Sequence, residues 1–409
     1  MSKVTKPVVL DETAKQVVAQ MQLQNEILTS LASGINYKPT SIKDVLNVVR
    51  AGQASKVFQV GDQIIVPWTD VTTGQKYDVP LDIVSFGTSA LQDGEELPSM
   101  TVQWHYAAPF GVQFNQYQAF FYASQELAAG TYYIEIGTTW GNNCVSGKKY
   151  QFTLTKPVPA GGQLAGFRGA PDQAPSSWKV YSYNSKTAVD AIEIVAVTEG
   201  SSGTSLGVLK TGGDGKLNCL QRTAYGYNRW SQSAMRQWLN SDKGVGEWWT
   251  PQNDFDRCPD QLATKAGFLT GFDADFLEIL RPTKVTTALN TVTDYVNGQP
   301  ENPLEVTYDK VYLPALEQMF IEPQLAGEGS TWDYWKRASN MTTKMKQYQT
   351  YPQIRTFAIE NHTSPHYVRL RSAIRGYSYG TWYVNSSGGV GHYGYAIYAL
   401  RCAPACDFC

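Results

Sequence analysis

Histidine is scarce in this chain, and the short signatures of common enzyme chemistries are missing. Only four histidines occur in 409 residues: His105, His362, His366 and His392. None lies in an H-E-x-x-H pair, a G-x-S-x-G elbow or a zinc-finger spacing. No P-loop occurs, and no G-x-G-x-x-G follows a strand. The small-residue run Ser386 to Gly389 suits a hairpin tip better than a phosphate cradle. The carboxylate pairs Asp273/Asp275 and Glu95/Glu96 read as caps or solvated surface rather than acid–base pairs. Nothing in the residues argues for catalysis, and no cofactor or metal is expected.

Charge is also sparse. Charged residues make up 17%, the net charge is −2 and the pI is near 6.1, so no basic field favours nucleic acid or an anionic membrane. No apolar run reaches the roughly 18 residues that would span a bilayer. The start, MSKVTKPVVLDETAK, has no apolar core of signal-peptide type. Synthesis in a cytoplasm without export by the general route is therefore expected. Aromatic residues reach 12% and glycines number 35, a balance that suits β-rich, loop-rich architecture.

Six cysteines occur, three of them in the tail C-A-P-A-C-D-F-C as Cys402, Cys406 and Cys409. Clustered thiolates can hold a metal, a tail thiol could pair with Cys219 or Cys258, or all could be reduced and partly buried. No fourth metal ligand is evident, because His362 and His366 are four apart in a proline-containing loop. The role of the three tail cysteines stays open.

The predicted fold class is α+β: an N-terminal helix forming a coiled coil, a β-sandwich-like middle and a C-terminal part of short helices and strands with long loops. Val17, Met21, Leu28 and Leu31 recur at spacings of three and four within 8–33, with Gln24 in the seam. That stripe reads as an amphipathic helix that needs partners, with a three-stranded coiled coil as the expectation. Residues 1–37 are assigned to this oligomerising or attachment helix. Ser41 and Asp44 open a second helix through Arg50, and Gly52 closes it. Strands are expected at 58–60, 63–67 and 77–84, then in MTVQWHY, YQAFFYA, TYYIEIG and KKYQFTLT. Residues 38–176 thus form a β-rich domain whose first strands can belong to the C-terminal fold. Pro157 to Pro175 reads as a connector. Within 177–409, helices are expected at 231–240, 261–269 and 274–280, and strands at 178–183, 191–197 and 284–289. Lys310 to Pro314 reads as a strand turning into a short helix.

The organising stretch is 371–400, RSAIRGYSYGTWYVNSSGGVGHYGYAIYAL, with six tyrosines among six glycines. Glycine buries nothing, and each buried tyrosine hydroxyl would need a partner. As a contact surface the mixture works well: tyrosine is large, stiff and amphipathic, and Gly, Ser and Asn adapt. Trp382 and Val384 alternate with outward residues as a strand should.

Five segments resemble a known family. W-S-Q-S-A-M-R-Q-W-L-N (Trp230 to Asn240) resembles the W-x-x-S-x-L-R-x-W-L-N helix of C-type-lectin-like domains found in phage tail proteins of gut bacteria, with Met235 for the usual Leu. V-R-L-R-S-A (Val368 to Ala373), W-Y-V-N-S-S-G-G-V (Trp382 to Val390) and L-R-C-A-P-A (Leu400 to Ala405) resemble its closing pattern, where Cys402 interrupts the usual Arg-Pro. F-Q-V-G-D-Q-I-I-V (Phe58 to Val66) resembles its first strand. The subgroup most similar is the variable proteins of diversity-generating retroelements, in which adenine mutagenesis scatters AAY asparagine codons. Ile374, Gly376, Tyr377, Tyr379, Gly380, Tyr383, Gly391, His392, Tyr393, Gly394, Tyr395 and Tyr398 are each one or two adenine changes from AAY. The resemblance implies that these twelve bind ligand on a frame of Arg371, Trp382, Val384, Val390 and Leu400. It further implies a receptor-binding adhesin on a virion tail fibre that sets host tropism. Its partners would be a bacterial surface protein or glycan and other tail proteins, with a homotrimer expected. Calcium-dependent sugar binding is not expected: no E-P-N, Q-P-D or W-N-D triplet occurs, and Glu301-Asn302-Pro303 has the wrong order. The alternatives are a structural baseplate or decoration protein and, through shared fold and cysteines, a formylglycine-generating oxidase.

Overall fold

The computed structural model describes residues 18, 21–22, 25, 29, 38–115, 120–123, 126–136, 146–158, 163–166, 177–181, 191–209, 219–221, 228–250, 258–259, 261–290, 304–339, 341–346, 355–375 and 380–409. It is a mixed helix-and-sheet protein with more strand than helix, arranged as several small sheets. Of the expected N-terminal helix, Val18, Met21, Gln22, Asn25 and Thr29 are described; all five are helical, and Val18, Met21, Asn25 and Thr29 are exposed. The other seam positions lie outside the described residues.

The helix after the N-terminal one, α1 (Ile42–Arg50), begins where the sequence says it should. The Ser41 hydroxyl accepts from the Asp44 N–H, and the Asp44 carboxylate accepts from the Ser41 N–H, so two otherwise unmet donors are satisfied. After the short α2 (Ala54–Val57), strands β1 (Gln63–Asp70), β2 (Gln75–Ala90) and β3 (Glu96–Trp104) form an antiparallel meander. The fourth strand of this sheet is β17 (Ala405–Phe408), which pairs with β3 from Ala405 opposite Gln103 to Phe408 opposite Met100. The first strands of the middle region therefore share a sheet with the C-terminal tail.

Every residue of β17 is buried, and its one charge explains how. The Asp407 carboxylate accepts from Thr101 Oγ1 at 2.7 Å, Thr283 Oγ1 at 2.7 Å and the Tyr312 hydroxyl at 3.1 Å. Three neutral donors from three segments compensate its desolvation. Burial, then the neighbouring Asp407, pushes the Tyr312 hydroxyl well above its usual pKa, so it stays a donor. The tail cysteines belong to the same interior. Cys402, Cys406 and Cys409 are buried, and with Cys258 they are free thiols. A tail disulfide to Cys219 or Cys258 is thus not formed: tail thiols that fill core positions beside β3 cannot also reach out to another segment.

Eight further strands follow β3: β4 (Phe120–Ala123), β5 (Gly130–Ile136), β6 (Lys149–Leu154), β7 (Gln163–Gly166), β8 (Ser177–Tyr181), β9 (Ala191–Glu199), β10 (Thr204–Leu209) and β11 (Cys219–Gln221). They form one sheet in the order β10-β5-β6-β9-β8-β7-β4-β11. The domain boundary expected at 176/177 cuts through this sheet and is corrected: β6 pairs with β9 and β7 with β8 across it. The proline- and glycine-rich connector contributes β7 and is no mere link, because its Gln163–Gly166 segment offers four residues free of proline. Leu127, Ile134, Phe152, Leu154, Val158 and Leu206 are buried here apart from the main core.

The main core is built on aromatic rings. Trp68, Trp104, Trp238 and Phe268 meet with centroids 5.1–5.6 Å apart. Helix α3 (Ala234–Leu239) supplies Trp238, and α4 (Ala274–Ile279) follows. Two expectations fail between and after them. Residues 261–269 form turns leading to a 3-10 helix at Phe268–Gly271, with Leu262 and Phe268 buried from turns rather than a helical face. Lys310 to Pro314 makes only a single bridge, Tyr312 to Ala405, and 316–320 is a turn. The hairpin β12 (Thr283–Ala288) with β13 (Leu304–Asp309), the helix α5 (Asp333–Ser339) and the three-stranded sheet β14 (Val368–Ala373), β15 (Gly380–Val384), β16 (Val390–Tyr395) complete the chain before β17.

The segment Trp230 to Asn240 now has physical roles for its polar residues. Trp230 Nε1 and Arg236 Nε donate to the two oxygens of buried Asp309 at 2.8 and 2.6 Å. Asn240 accepts from the Lys310 and Val311 N–H groups and donates to the Val311 carbonyl. One face of this short segment thus locks the end of β13.

Candidate functional site

The Tyr/Gly stretch stands on β14, in which all six residues are buried. Two arginines there face no water. Arg371 donates to Thr287 Oγ1, to Gln318 Oε1 and to the carbonyls of Thr286, Leu313 and Glu328. Arg369 donates to Thr381 Oγ1 and to the carbonyls of Gly394, Tyr395 and Tyr398. A guanidinium is suited to this, since its rigid fork reaches several acceptors at once. Burial lowers both pKa values, that of Arg369 to about 9, which leaves Arg369 charged at neutral pH. Arg371 ties the sheet to the core, whereas Arg369 ties it to the loop that carries the last tyrosines.

Above this frame the rings come to the surface. β15 and β16 pair through a turn in which Asn385 Oδ1 accepts from the N–H groups of Ser387 and Gly389. Trp382, Val384 and Val390 point inward and are buried. Tyr393 is 57% exposed and Tyr398 44% exposed, while Tyr383, His392 and Tyr395 are half-buried. His392 lies 4.0 Å from Tyr393, and Tyr395 lies 5.1 Å from Tyr398. Burial lowers the His392 pKa, which keeps its ring neutral at neutral pH.

The twelve expected ligand residues therefore divide. Tyr383, His392, Tyr393, Tyr395 and Tyr398 form the surface. Gly391 is half-buried under a ring: a Cβ there would sit 2.7 Å from Tyr383 Cζ. Ile374, Gly380 and Gly394 are interior, which corrects their assignment as contacts. Ile374 belongs to the main core, a Cβ on Gly380 would meet its Cδ1 at 2.6 Å, and one on Gly394 would meet the Thr381 carbonyl at 2.7 Å. The adenine argument marks codons and is blind to burial. Gly376, Tyr377 and Tyr379 lie outside the described residues. Of the expected frame, Leu400 is half-buried rather than interior.

Three participants escaped the sequence reading. Tyr367, 44% exposed, stacks on Tyr383 with centroids 5.2 Å apart and planes at 21°. Arg369 was a motif letter without a role. Asn228, fully buried, donates to the carbonyls of Ile374 and Gly380 and so holds the end of β14 beside the start of β15. No local pattern could reveal it, because its partners are about 150 residues away.

Electrostatically the surface is nearly bare. No Asp or Glu occurs between Glu360 and Asp407. Arg401 is paired with Glu360 at 2.7 and 2.8 Å. Burial would raise the Glu360 pKa, but the Arg401 hydrogen bonds outweigh it and hold the carboxyl low. Cation sites draw chiefly on carboxylate oxygens, and residues 361–406 contain no carboxylate side chain. Among the described residues no group of three or more His, Cys, Asp or Glu is arranged to hold a metal. His362 stacks flat on Tyr106 at 4.1 Å. The tail thiols are poor nucleophiles: burial pushes Cys402 up to about 12 and Cys409 to about 11. What this arrangement can do is bind by ring contact.

Residues 215–407 match a family described as Domain of unknown function (DUF6273). The matched segment holds the whole candidate surface, both buried arginines and most of β17, but not β1 to β3, with which β17 pairs. No curated protein matches the chain, and no solved structure does.

Proposed function

We propose that this chain is a phage receptor-binding protein of the variable kind made by diversity-generating retroelements, with a C-type-lectin-like C-terminal fold. The carrying observation is an open set of rings, Tyr367, Tyr383, Tyr393, Tyr395 and Tyr398, on a sheet whose underside is clamped by two buried arginines. Display and support are thereby separated. The outward side chains contribute little to the core, while the frame is held by main-chain carbonyls that do not depend on which side chains are displayed.

Binding would come from burying aromatic area, the usual source of hot spots, on a surface with almost no exposed charge. The N-terminal helix would join three copies, so that modest single-site affinities multiply; the exposure of Met21, a seam position, is consistent with an apolar seam awaiting partners. The lectin-like assignment is supported by the chain's opening and closing strands sharing one sheet and by the motif residues that lock β13. The receptor would be a bacterial surface protein or glycan, and the working location the virion tail fibre.

The test is adsorption. Labelled full-length protein is incubated with a panel of gut bacterial strains, and the double variant Tyr393→Ala/Tyr398→Ala is run beside it. Saturable binding to some strains that falls at least tenfold in the variant supports the reading. Binding that ignores these rings refutes it.

A further inference from the structure

We propose that Tyr367, Tyr383 and the two glycines at 391 and 394 act as one recognition unit: a preformed two-ring platform whose parts cannot be exchanged independently. The inference rests on the reading of this surface as a binding face and adds to it a residue outside the twelve and a rule for how the surface varies.

The Tyr383 ring is held from two directions. On one side it stacks on Tyr367, 5.2 Å away at 21°. On the other it lies across β16, where its register partner is Gly391. An ideal Cβ on Gly391 would stand 2.7 Å from both Cζ and the hydroxyl oxygen of Tyr383, and one on Gly394 would stand 3.0 Å from its Cδ1. Contacts under about 3 Å are not tolerated between carbon atoms whose optimum is near 3.5–4.0 Å. Glycine is therefore the seat on which the ring rests, as cross-strand aromatics cover glycines in sheets. Tyr367 is fixed in turn: its carbonyl accepts from the Arg401 N–H at 3.0 Å, and Arg401 is clamped by Glu360.

Two consequences separate this unit from a loose scatter of tyrosines. A ring held from both sides loses little freedom on binding, so contact with a ligand costs less than for a free side chain. And the residue at 383 dictates its neighbours, because any side chain at 391 displaces the ring. Positions 383, 391 and 394 vary together rather than one at a time. The clash at 391 is with the far end of a side chain, so the fold survives while the platform does not. At 394 the clash includes the Thr381 carbonyl, so substitution there also strains the backbone.

The experiment uses full-length protein and a strain that the wild type adsorbs to. Gly391→Ala, Tyr383→Ala, Tyr367→Ala, Tyr367→Phe and the double Tyr383→Ala/Gly391→Ala are compared by melting temperature, near-ultraviolet circular dichroism and adsorption. Gly391→Ala is expected to keep the melting temperature within a few degrees. It should lose the stacking signal to the same extent as Tyr367→Ala and bind at least tenfold more weakly. The double variant should bind no worse than Tyr383→Ala alone, and Tyr367→Phe should retain stack and binding. Additive losses in the double variant, or a stack that persists in Gly391→Ala, overturn the proposal. If no strain adsorbs the wild type, the receptor-binding reading is at fault, and the dichroism arm still decides whether the ring sits on the glycine.

Discussion

Replacing Arg369 by methionine isolates the contribution of the frame from that of the rings it carries. Methionine fills similar space without charge. The substitution removes four hydrogen bonds, to Thr381 Oγ1 and to the carbonyls of Gly394, Tyr395 and Tyr398. At about 2 kcal/mol for each bond from a charged donor, the gross loss is about 8 kcal/mol. Against this stands relief of a buried charge. Burial takes the guanidinium from 12.5 to about 9, and at about 1.4 kcal/mol per pKa unit this is about 5 kcal/mol. The net destabilisation is then about 3 kcal/mol, a fall in Tm of a few degrees for a chain of this length. The loss is not spread evenly. Gly394 keeps a hydrogen bond from Thr381, so the loosened carbonyls are those of Tyr395 and Tyr398, under two of the displayed rings. Amide exchange should therefore rise more at 394–400 than in β17 and α3, where it follows only the global loss, and adsorption should drop further than the stability loss explains. Arg369→Lys should do no better than methionine, since a point charge on a flexible stem cannot span four acceptors. Full rescue by lysine, or exchange that rises evenly over the protein, would refute the claim that the guanidinium fork organises this loop.

Other outcomes follow from the same contacts. Asp407→Ala should cost about 3 kcal/mol, read by denaturant melts, because three buried hydroxyls lose their acceptor; Asp407→Asn, which still accepts on one oxygen, should cost less. Single alanine substitutions of Tyr393 or Tyr398 should leave stability within about 0.5 kcal/mol, as expected for exposed side chains, and show their effect only in adsorption. Cys402 and Cys409, with thiols pushed up to about 12 and about 11, should resist a disulfide-exchange reagent at pH 8 in the native protein and react once it is unfolded. A group protonated longer in the folded state stabilises it below the unfolded-state pKa, near 9 here, and that contribution vanishes as pH rises through the folded value. Cys402→Ala should accordingly flatten the loss of stability between about pH 9 and 12.

Local signals carried the elements whose causes are local. The capping pair Ser41 and Asp44, the strand alternation in Trp382 and Val384, and the Asn385 turn are all visible in a few consecutive letters, because each depends on neighbours within four residues. The Tyr/Gly composition of 371–400 predicted a surface; Tyr393 and Tyr398 are exposed, whereas Ile374, Gly380 and Gly394 are buried. Burial and partnership were another matter. That the Cys-rich tail is a buried strand, the last of its sheet, follows from β3, some 300 residues earlier. That Ile374 and Gly394 face inward while Tyr393 faces out depends on how β14 to β16 lie over the arginines, and that Tyr367 joins Tyr383 depends on strand register. Those facts were decided only by the tertiary structure, because a buried polar group must find its partner wherever the fold brings one, and separation along the chain does not limit where that is.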